Sequence, residues 1–252
     1  MSTVAAGHPP APARAGDLQV AGMTPLSTVD WPGRLAATVF CQGCPWDCSY
    51  CHNPALIAPR TPGTLPWEDV LAFLRRRRRL LDAVVMSGGE ATRQGALLPA
   101  VREVRGLGFA VGLHTAGPYP RRLAALLGDV DWVGLDLKAL PEDYHDVVRR
   151  PGAGHLAWEC LDLLVASGVD HEVRTTVAPG SPAARHAVEI ARRARDAGAR
   201  AFALQVVRTA GTRAEFAAAH SSADHRAWRE EVTSLDEQIA ALGLPHYELR
   251  PG

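Results

Sequence analysis

The sequence predicts an α/β fold, an incomplete (β/α)6 TIM-like barrel of parallel strands. Three observations predict it. Short apolar runs such as LAATVF (35–40) and DAVVM (82–86) alternate with longer stretches of helical period. Strands separated by helices in this way pair in parallel through right-handed crossovers. A strand–helix unit uses about 30 residues, so the chain beyond its lead-in holds about six units and falls short of eight. The glycines and charges that break the apolar pattern gather just past the runs, at the strand ends where such barrels collect their function.

Each element follows from local pattern. Residues 1–17, MSTVAAGHPPAPARAGD, are rich in Ala and Pro and are expected to form a disordered tail, leaving 18–252 as one domain. Leu18–Gly33 reads as an irregular lead-in, and Leu35–Phe40 as a buried first strand that delivers a cysteine-rich loop. Trp67–Leu80 is helical in character, Asp82–Met86 a strand and Ala96–Gly106 a helix. Phe109–Thr115 and Trp132–Leu137 are strands on either side of a helix at Pro120–Leu127. His155–Ser167 is a helix stopped by Gly168. Glu172–Val177 and Ala201–Val207 are strands flanking a helix at Pro182–Ala197. A last long helix is expected at about Ala223–Leu242, with an extended piece at Tyr247–Arg250.

Lys and Arg balance Asp and Glu, 27 against 27, so no global charge argues for nucleic acid or membrane as a partner. The N-terminus lacks the apolar core of a signal peptide, and no run approaches the roughly 20 apolar residues of a membrane span. Four of the five cysteines sit in one loop, which is no disulfide framework; a reducing cytoplasm is expected.

That loop, FCQGCPWDCSYCHN (40–53), carries Cys41, Cys44, Cys48 and Cys51. A structural zinc site would use all four, yet zinc ribbons hold their two pairs about 15–20 residues apart so that two hairpins clasp one ion. An iron–sulfur cubane takes thiolates on separate irons, and the short C-x3-C-x2-C steps suit it. Cys41 reads as a spare buried thiol, and Cys160, within an apolar helix, as core.

Cys44, Cys48, Tyr50 and Cys51 resemble the signature of the radical S-adenosylmethionine enzymes. The flanking residues narrow the resemblance. Ser27–Gly33 (STVDWPG), Gln42-Gly43-Cys44 and Tyr50–Pro54 (YCHNP) resemble the activating enzymes of glycyl radical enzymes. Asp-Trp-Pro-Gly with Cys-Pro-Trp-Asp-Cys is nearest to the anaerobic ribonucleoside-triphosphate reductase activating proteins. The resemblance implies a 4Fe–4S cluster on Cys44, Cys48 and Cys51, with S-adenosylmethionine on the open fourth iron. It implies reductive cleavage to methionine and a 5′-deoxyadenosyl radical that takes a hydrogen from a glycine of the partner. The electron would come from a donor such as flavodoxin or ferredoxin. Two alternatives stand beside it: a radical enzyme acting on a small molecule, similar to 7-carboxy-7-deazaguanine synthase, and a zinc-binding adaptor without catalysis.

The same resemblance implies roles at the strand ends. Gly88-Gly89-Glu90 is similar to the Gly-Gly-Glu turn that meets the cofactor's amino group, with Ala91 in place of the usual proline. Thr115 and Gly117 stand in a Thr-Asn-Gly-like turn whose asparagine is Ala116. His114 replaces an aspartate that binds a monovalent cation in that branch, and by itself reads as a satisfied strand-end histidine. Asp136 and Lys138 share a face and are expected to pair with each other or with the cofactor, which Tyr50 would also contact. Arg174, between apolar neighbours, is expected inside the barrel to meet a carboxylate. Asp30, Pro32 and Gly33 are the candidates for seating a glycine-bearing peptide. Gln205 and Arg208 are weaker candidates, and the Arg75–Arg79 run reads as a solvated helix end.

Overall fold

The computed structural model describes residues 13–221 and 225–252. Eight strands form one sheet in chain order: β1 (Val20–Ser27), β2 (Ala36–Cys41), β3 (Ala83–Gly88), β4 (Ala110–Thr115), β5 (Trp132–Asp136), β6 (Asp170–Val177), β7 (Ala201–Val206) and β8 (His246–Arg250). β2 to β8 run parallel, and the six expected strands are β2–β7. The helices between them are α1 (Trp67–Arg77), α2 (Leu97–Gly106), α3 (Pro120–Leu126), α4 (Tyr144–Val148), α5 (Ala153–Ser167), α6 (Pro182–Ala197), α7 (Ala214–Ser221) and α8 (His225–Ala240).

Four features differ from expectation. The lead-in is not irregular: it forms β1, antiparallel to β2, with Val20 opposite Cys41 and Ser27 opposite Ala36. Its register shifts between Val20 and Gly22 and again between Thr24 and Ser27. A glycine and Pro25 interrupt the alternation there, which an edge strand tolerates. The piece at Tyr247–Arg250 is a full strand, β8, with Phe202 opposite Tyr247. The expected last long helix is α8, and a further short helix, α7, which was not expected, precedes it. The tail expected to be disordered falls mostly on residues 1–12, outside the described residues. Its end, Ala15–Asp17, is a 3₁₀ turn with Ala15 buried, and the Asp17 carboxylate accepts the Arg14 N–H at 2.8 Å.

Side chains alternate across the sheet. The outer face of each parallel strand (Val39, Met86, Leu113, Leu135, Val173, Leu204) packs under the helices in the main core. The inner face is smaller and separate: Ala36, Ala83, Val85 and Trp132 enclose Trp31. Trp31 and Trp132 stack at 5.4 Å with planes 16° apart. Gly112 makes the room, since a Cβ there would lie 2.9 Å from the Trp31 ring. The sheet is therefore rolled around a plug supplied by the β1–β2 connection. Among the described residues no helix is long and apolar enough to cross a membrane.

Candidate active site

The cysteine loop leaves β2 and is clamped on two sides. On one, Gly43 and Cys44 donate their N–H groups to Leu56 and Ile57 at 2.8 and 3.0 Å. The buried Gln42 amide donates to the Ala55 and Ala58 carbonyls at 3.3 and 3.1 Å. On the other, Asp47 and Ser49 donate backbone N–H groups to Val148 and Val147. Trp46 meets Tyr144 edge-on at 5.8 Å, and the Asp47 carboxylate takes Arg149 and Arg213. Gln94 adds a brace by donating to the carbonyls of Gln19 and Gln42. The roles of Trp46, Asp47 and Gln94 are invisible in the sequence, because their partners lie far along the chain.

One cavity of about 830 Å³ opens beneath this loop. Cys44, Cys48 and Cys51 all line it, with Tyr50, Ser87, Gly88, Gly89, Glu90, His114, Thr115, Asp136, Lys138 and Arg174. Both sheet edges reach it, through Thr28, Val29, Asp30 and Pro32 on one side and Glu248–Pro251 on the other. Cys41 is not on this wall. It is fully buried on the outer face, where burial and then Glu90 push its thiol up to about 12. Cys160 is buried too, its thiol donating to the Gly117 carbonyl.

The donor set fits a cluster better than a single ion. A tetrahedral zinc site needs four donors around one point, and the fourth cysteine of the loop, Cys41, is buried on the outer face away from this wall. A cubane takes thiolates on separate irons, and three thiols on one wall could hold three of them and leave the fourth iron open. The Tyr50 hydroxyl is buried with no hydrogen bond among the described residues, a polar group that a bound ligand would satisfy. Lys138 lies 5.5 Å above the Tyr50 ring, and its ammonium pairs with Asp136 at 3.5 Å. Burial alone would lower that ammonium, but Tyr50 and Asp136 hold it well above the ordinary lysine range. The expected mutual pair is thus present, with a cationic group facing the cavity.

Glu90 lines the cavity while its carboxylate is tied into the protein. Its carboxylate is 2 % exposed and accepts from the Thr92 N–H and hydroxyl, the Thr115 hydroxyl and the Ala116 N–H. Burial pushes it up despite these donors. Thr115 and Glu90 therefore tie the end of β4 to the end of β3. The glycines before Glu90 serve packing: a Cβ on Gly89 would lie 2.6 Å from the Gly43 carbonyl oxygen, and one on Gly88 2.2 Å from the Cys41 nitrogen.

The β1–β2 connection starts at the opposite end of the strands from the cysteine loop and folds up into the lumen. The Asp30 carboxylate accepts the Thr38 hydroxyl at 2.6 Å. Its carbonyl accepts His114 Nε2–H at 2.6 Å and an Arg174 N–H at 3.4 Å. Burial would raise the Asp30 carboxyl; bonds from Ser27 and Thr38, with His114 and Arg174 nearby, bring it below the ordinary value. His114 is the satisfied histidine expected, its Nδ1 3.3 Å from the Ser87 hydroxyl. Burial and then Arg174 push it down to about 4, so the ring is neutral at ordinary pH. Pro32 is on the cavity wall, whereas Gly33 is outside it, in a turn at φ 75°.

Arg174 points inward and meets a carboxylate, but one of the protein's own. Its Nε donates to Glu172 at 2.8 Å, and Arg250 clasps the same carboxylate with two bonds of 2.9 and 2.8 Å. This network joins β6 to β8 across β7. Burial would push Glu172 up; Arg174 and Arg250 outweigh it and hold the carboxyl below its usual range. Glu172→Gln is expected to cost about 3–5 kcal/mol, because it strands buried guanidinium charge. Since the folded-state value is depressed, the stabilisation is full above the unfolded carboxyl value and is lost as pH falls through the folded one. Urea titrations of both proteins across the acid range check this: the gap between them should narrow as pH drops.

The comparisons with known proteins came out as follows. A family profile, Radical SAM superfamily, matches residues 38–194. A putative glycyl-radical enzyme activating enzyme of Methanocaldococcus jannaschii is 31% identical over 169 residues, 64% of this chain and 68% of that one. The pyruvate formate-lyase-activating enzyme of Clostridium pasteurianum is 31% identical over 132 residues, 50% of this chain and 55% of its own length. Among solved structures, a radical SAM methyltransferase from Sphaerobacter thermophilus superposes with a TM-score of 0.61 at 18% identity, covering 93% of this chain and 77% of that one. Streptococcus suis SuiB superposes at 0.63 and 14% identity, covering 84% of this chain and 47% of that one. At such identity these two likenesses speak to the fold.

Proposed function

Because the chain belongs to the radical S-adenosylmethionine superfamily, in the branch of the glycyl-radical-enzyme activases, we propose that it raises a glycyl radical on a partner enzyme, an anaerobic ribonucleoside-triphosphate reductase. Membership brings a 4Fe–4S cluster and S-adenosylmethionine, which together supply a carbon radical able to take a hydrogen atom. The chain's own residues bind, orient and shield. Cys44, Cys48 and Cys51 would hold the cluster, and Tyr50, Lys138 and Asp136 would meet the cofactor. The glycine turn fixes the roof, and the Asp30–Pro32 loop sets the floor.

The observation that carries this reading is one cavity lined both by the cysteines and by that floor loop. Its volume lies within the range of about 300–1,000 Å³ usual for ligand sites. A glycine has no side chain to keep its target carbon away, so recognition must come from backbone and flanking contacts. The floor loop offers such contacts.

Asp30→Ala frees the Thr38 hydroxyl and loosens the floor without touching a cysteine. Cluster content and uncoupled cofactor cleavage are expected to stay near wild type, while the radical formed on the reductase falls about tenfold, the scale of one lost positioning contact. Electron paramagnetic resonance of anaerobic mixtures reads this as loss of a glycyl doublet. A wild-type protein that cleaves the cofactor and turns over a small molecule, with no radical on any glycyl radical enzyme, would overturn the reading.

A further inference from the structure

We propose that Arg250 is a positioning residue for hydrogen transfer from the partner's glycine: acting through Glu172 and Arg174, it fixes the peptide unit that joins Asp30 and Trp31 in the floor loop. The glycine as target rests on the function proposed above, whereas the relay is a property of this chain. Arg250 grips Glu172 with two bonds of 2.9 and 2.8 Å, and Glu172 also accepts Arg174 Nε–H at 2.8 Å. Arg174 then makes two contacts with the floor. It donates to the Asp30 carbonyl at 3.4 Å, and its guanidinium lies 5.1 Å over the Trp132 ring. Trp132 in turn stacks on Trp31. His114 completes the clamp from β4: it donates to the same Asp30 carbonyl and meets Trp132 edge-on at 5.7 Å. One peptide unit of the floor is thereby held from two walls of the barrel, and the β6 wall takes its aim from Arg250.

The network gives direction more than cohesion. β8 stays on the sheet without it: all five of its residues pair with β7, from Ala201 opposite His246 to Gln205 opposite Arg250. The Tyr247 hydroxyl also ties β8 to α8 by donating to Asp236 at 2.8 Å. The ionic network instead reaches past β7 to β6 on the inner face, where Glu172 and Arg174 are each 7% exposed. Buried ionic groups of this kind add little net stability over apolar side chains of similar volume. What they add is orientation, since a guanidinium meets a carboxylate through a planar, two-pronged fit. The fold leaves room for the arrangement: a Cβ on Gly134 would lie 2.8 Å from the Arg174 guanidinium. Arg250 itself lines the lip of the cavity beside Glu248, whose carboxylate takes its Nε–H at 2.9 Å. The two edges of the sheet, β8 and the β1–β2 connection, are thus coupled through the lumen.

In the transfer, the glycine Cα gives its hydrogen atom to the carbon radical, one C–H bond breaking as another forms. Misplacing the target by about 1 Å slows such a step steeply. Cofactor cleavage takes place at the cluster and does not involve the floor. The readout is therefore a ratio, 5′-deoxyadenosine formed per glycyl radical formed, in anaerobic mixtures of the reconstituted protein with the reductase. R250Q should raise this ratio about tenfold, keep its iron and melt at a lower temperature. E172M/R174M/R250M removes every charge of the relay and should recover the melting temperature while the ratio stays high. R250K keeps the charge but not the two-pronged grip; it too should raise the ratio, and it decides the matter if the triple variant does not fold. Hydrogen exchange of the reconstituted proteins should show residues 28–34 opening faster in R250Q than in wild type, with the helices unchanged. A ratio that recovers with the melting temperature in the triple variant overturns the positioning role. So does a wild-type ratio in R250K, or unchanged exchange at residues 28–34. A wild type that raises no glycyl radical overturns the proposed function instead; the ratio is then read per molecule of small-molecule product, and the exchange result still judges the relay.

Discussion

Cys48→Ala is expected to leave a protein that folds but neither keeps a cluster nor cleaves S-adenosylmethionine. Cys48 lines the cavity together with Cys44 and Cys51, and the loop that carries it is clamped from both sides. Three thiolates are the minimum that holds a cubane with one iron open, so no fourth donor can substitute. After anaerobic reconstitution, iron should drop from about four per chain to near none, and 5′-deoxyadenosine should vanish with it. Cys44→Ala and Cys51→Ala should match. Cys41→Ala should retain iron and cleavage, because that thiol is fully buried on the far face of β2. A Cys41→Ala protein without a cluster, or an active Cys48→Ala protein, would reassign the ligands.

Gly89→Val should also strip the cluster, and by a different route. The added Cβ would lie 2.6 Å from the Gly43 oxygen and 2.8 Å from the Leu56 oxygen, both rigid backbone atoms. The roof cannot absorb this without losing the Glu90 N–H bond to Gly43 or the Gly43 N–H bond to Leu56, at 3.0 and 2.8 Å. Overpacking of this kind costs about 1–3 kcal/mol, and here the strain falls on the residue next to Cys44. Iron content should fall together with cofactor affinity, and the melting temperature should drop. Gly95→Ala is the control, because its Cβ would meet only the Ala13 side chain at 3.5 Å. A Gly89→Val protein with full iron content but no affinity by calorimetry would put the ligand itself against Gly89.

The packing at Gly89 adds to what Gly-Gly-Glu suggests when read in one dimension. The motif marks a place where backbone must come close, and that much is legible. What comes close is the cysteine loop, from 46 residues upstream at Gly43. Glu90 shows the same limit: a carboxylate at a strand end reads as a ligand contact, yet Thr92, Thr115 and Ala116 within the protein already donate four bonds to it. Arg174 was expected inward to meet an acid and does so, but the acid is Glu172 two residues away on the same face.

By itself the sequence determined the alternation of strands and helices, the C-x3-C-x2-C loop at the end of β2 and the glycine turn at the end of β3. These are local signals. Apolar period and turn chemistry act over a few residues, and thiolate spacing is set by one short loop. Tertiary structure alone decided the rest. It turned the Gly- and Pro-broken lead-in into an antiparallel edge, because β2 offered an unpaired edge of backbone groups to satisfy. It folded Asp30 and Trp31 into the lumen, because Gly112 and the small residues Ala36 and Ala83 left space that only an aromatic ring from another segment could fill. It closed the far side through Glu172 and Arg250, which are 78 residues apart, because a buried charge must find its counter-charge wherever the chain brings one.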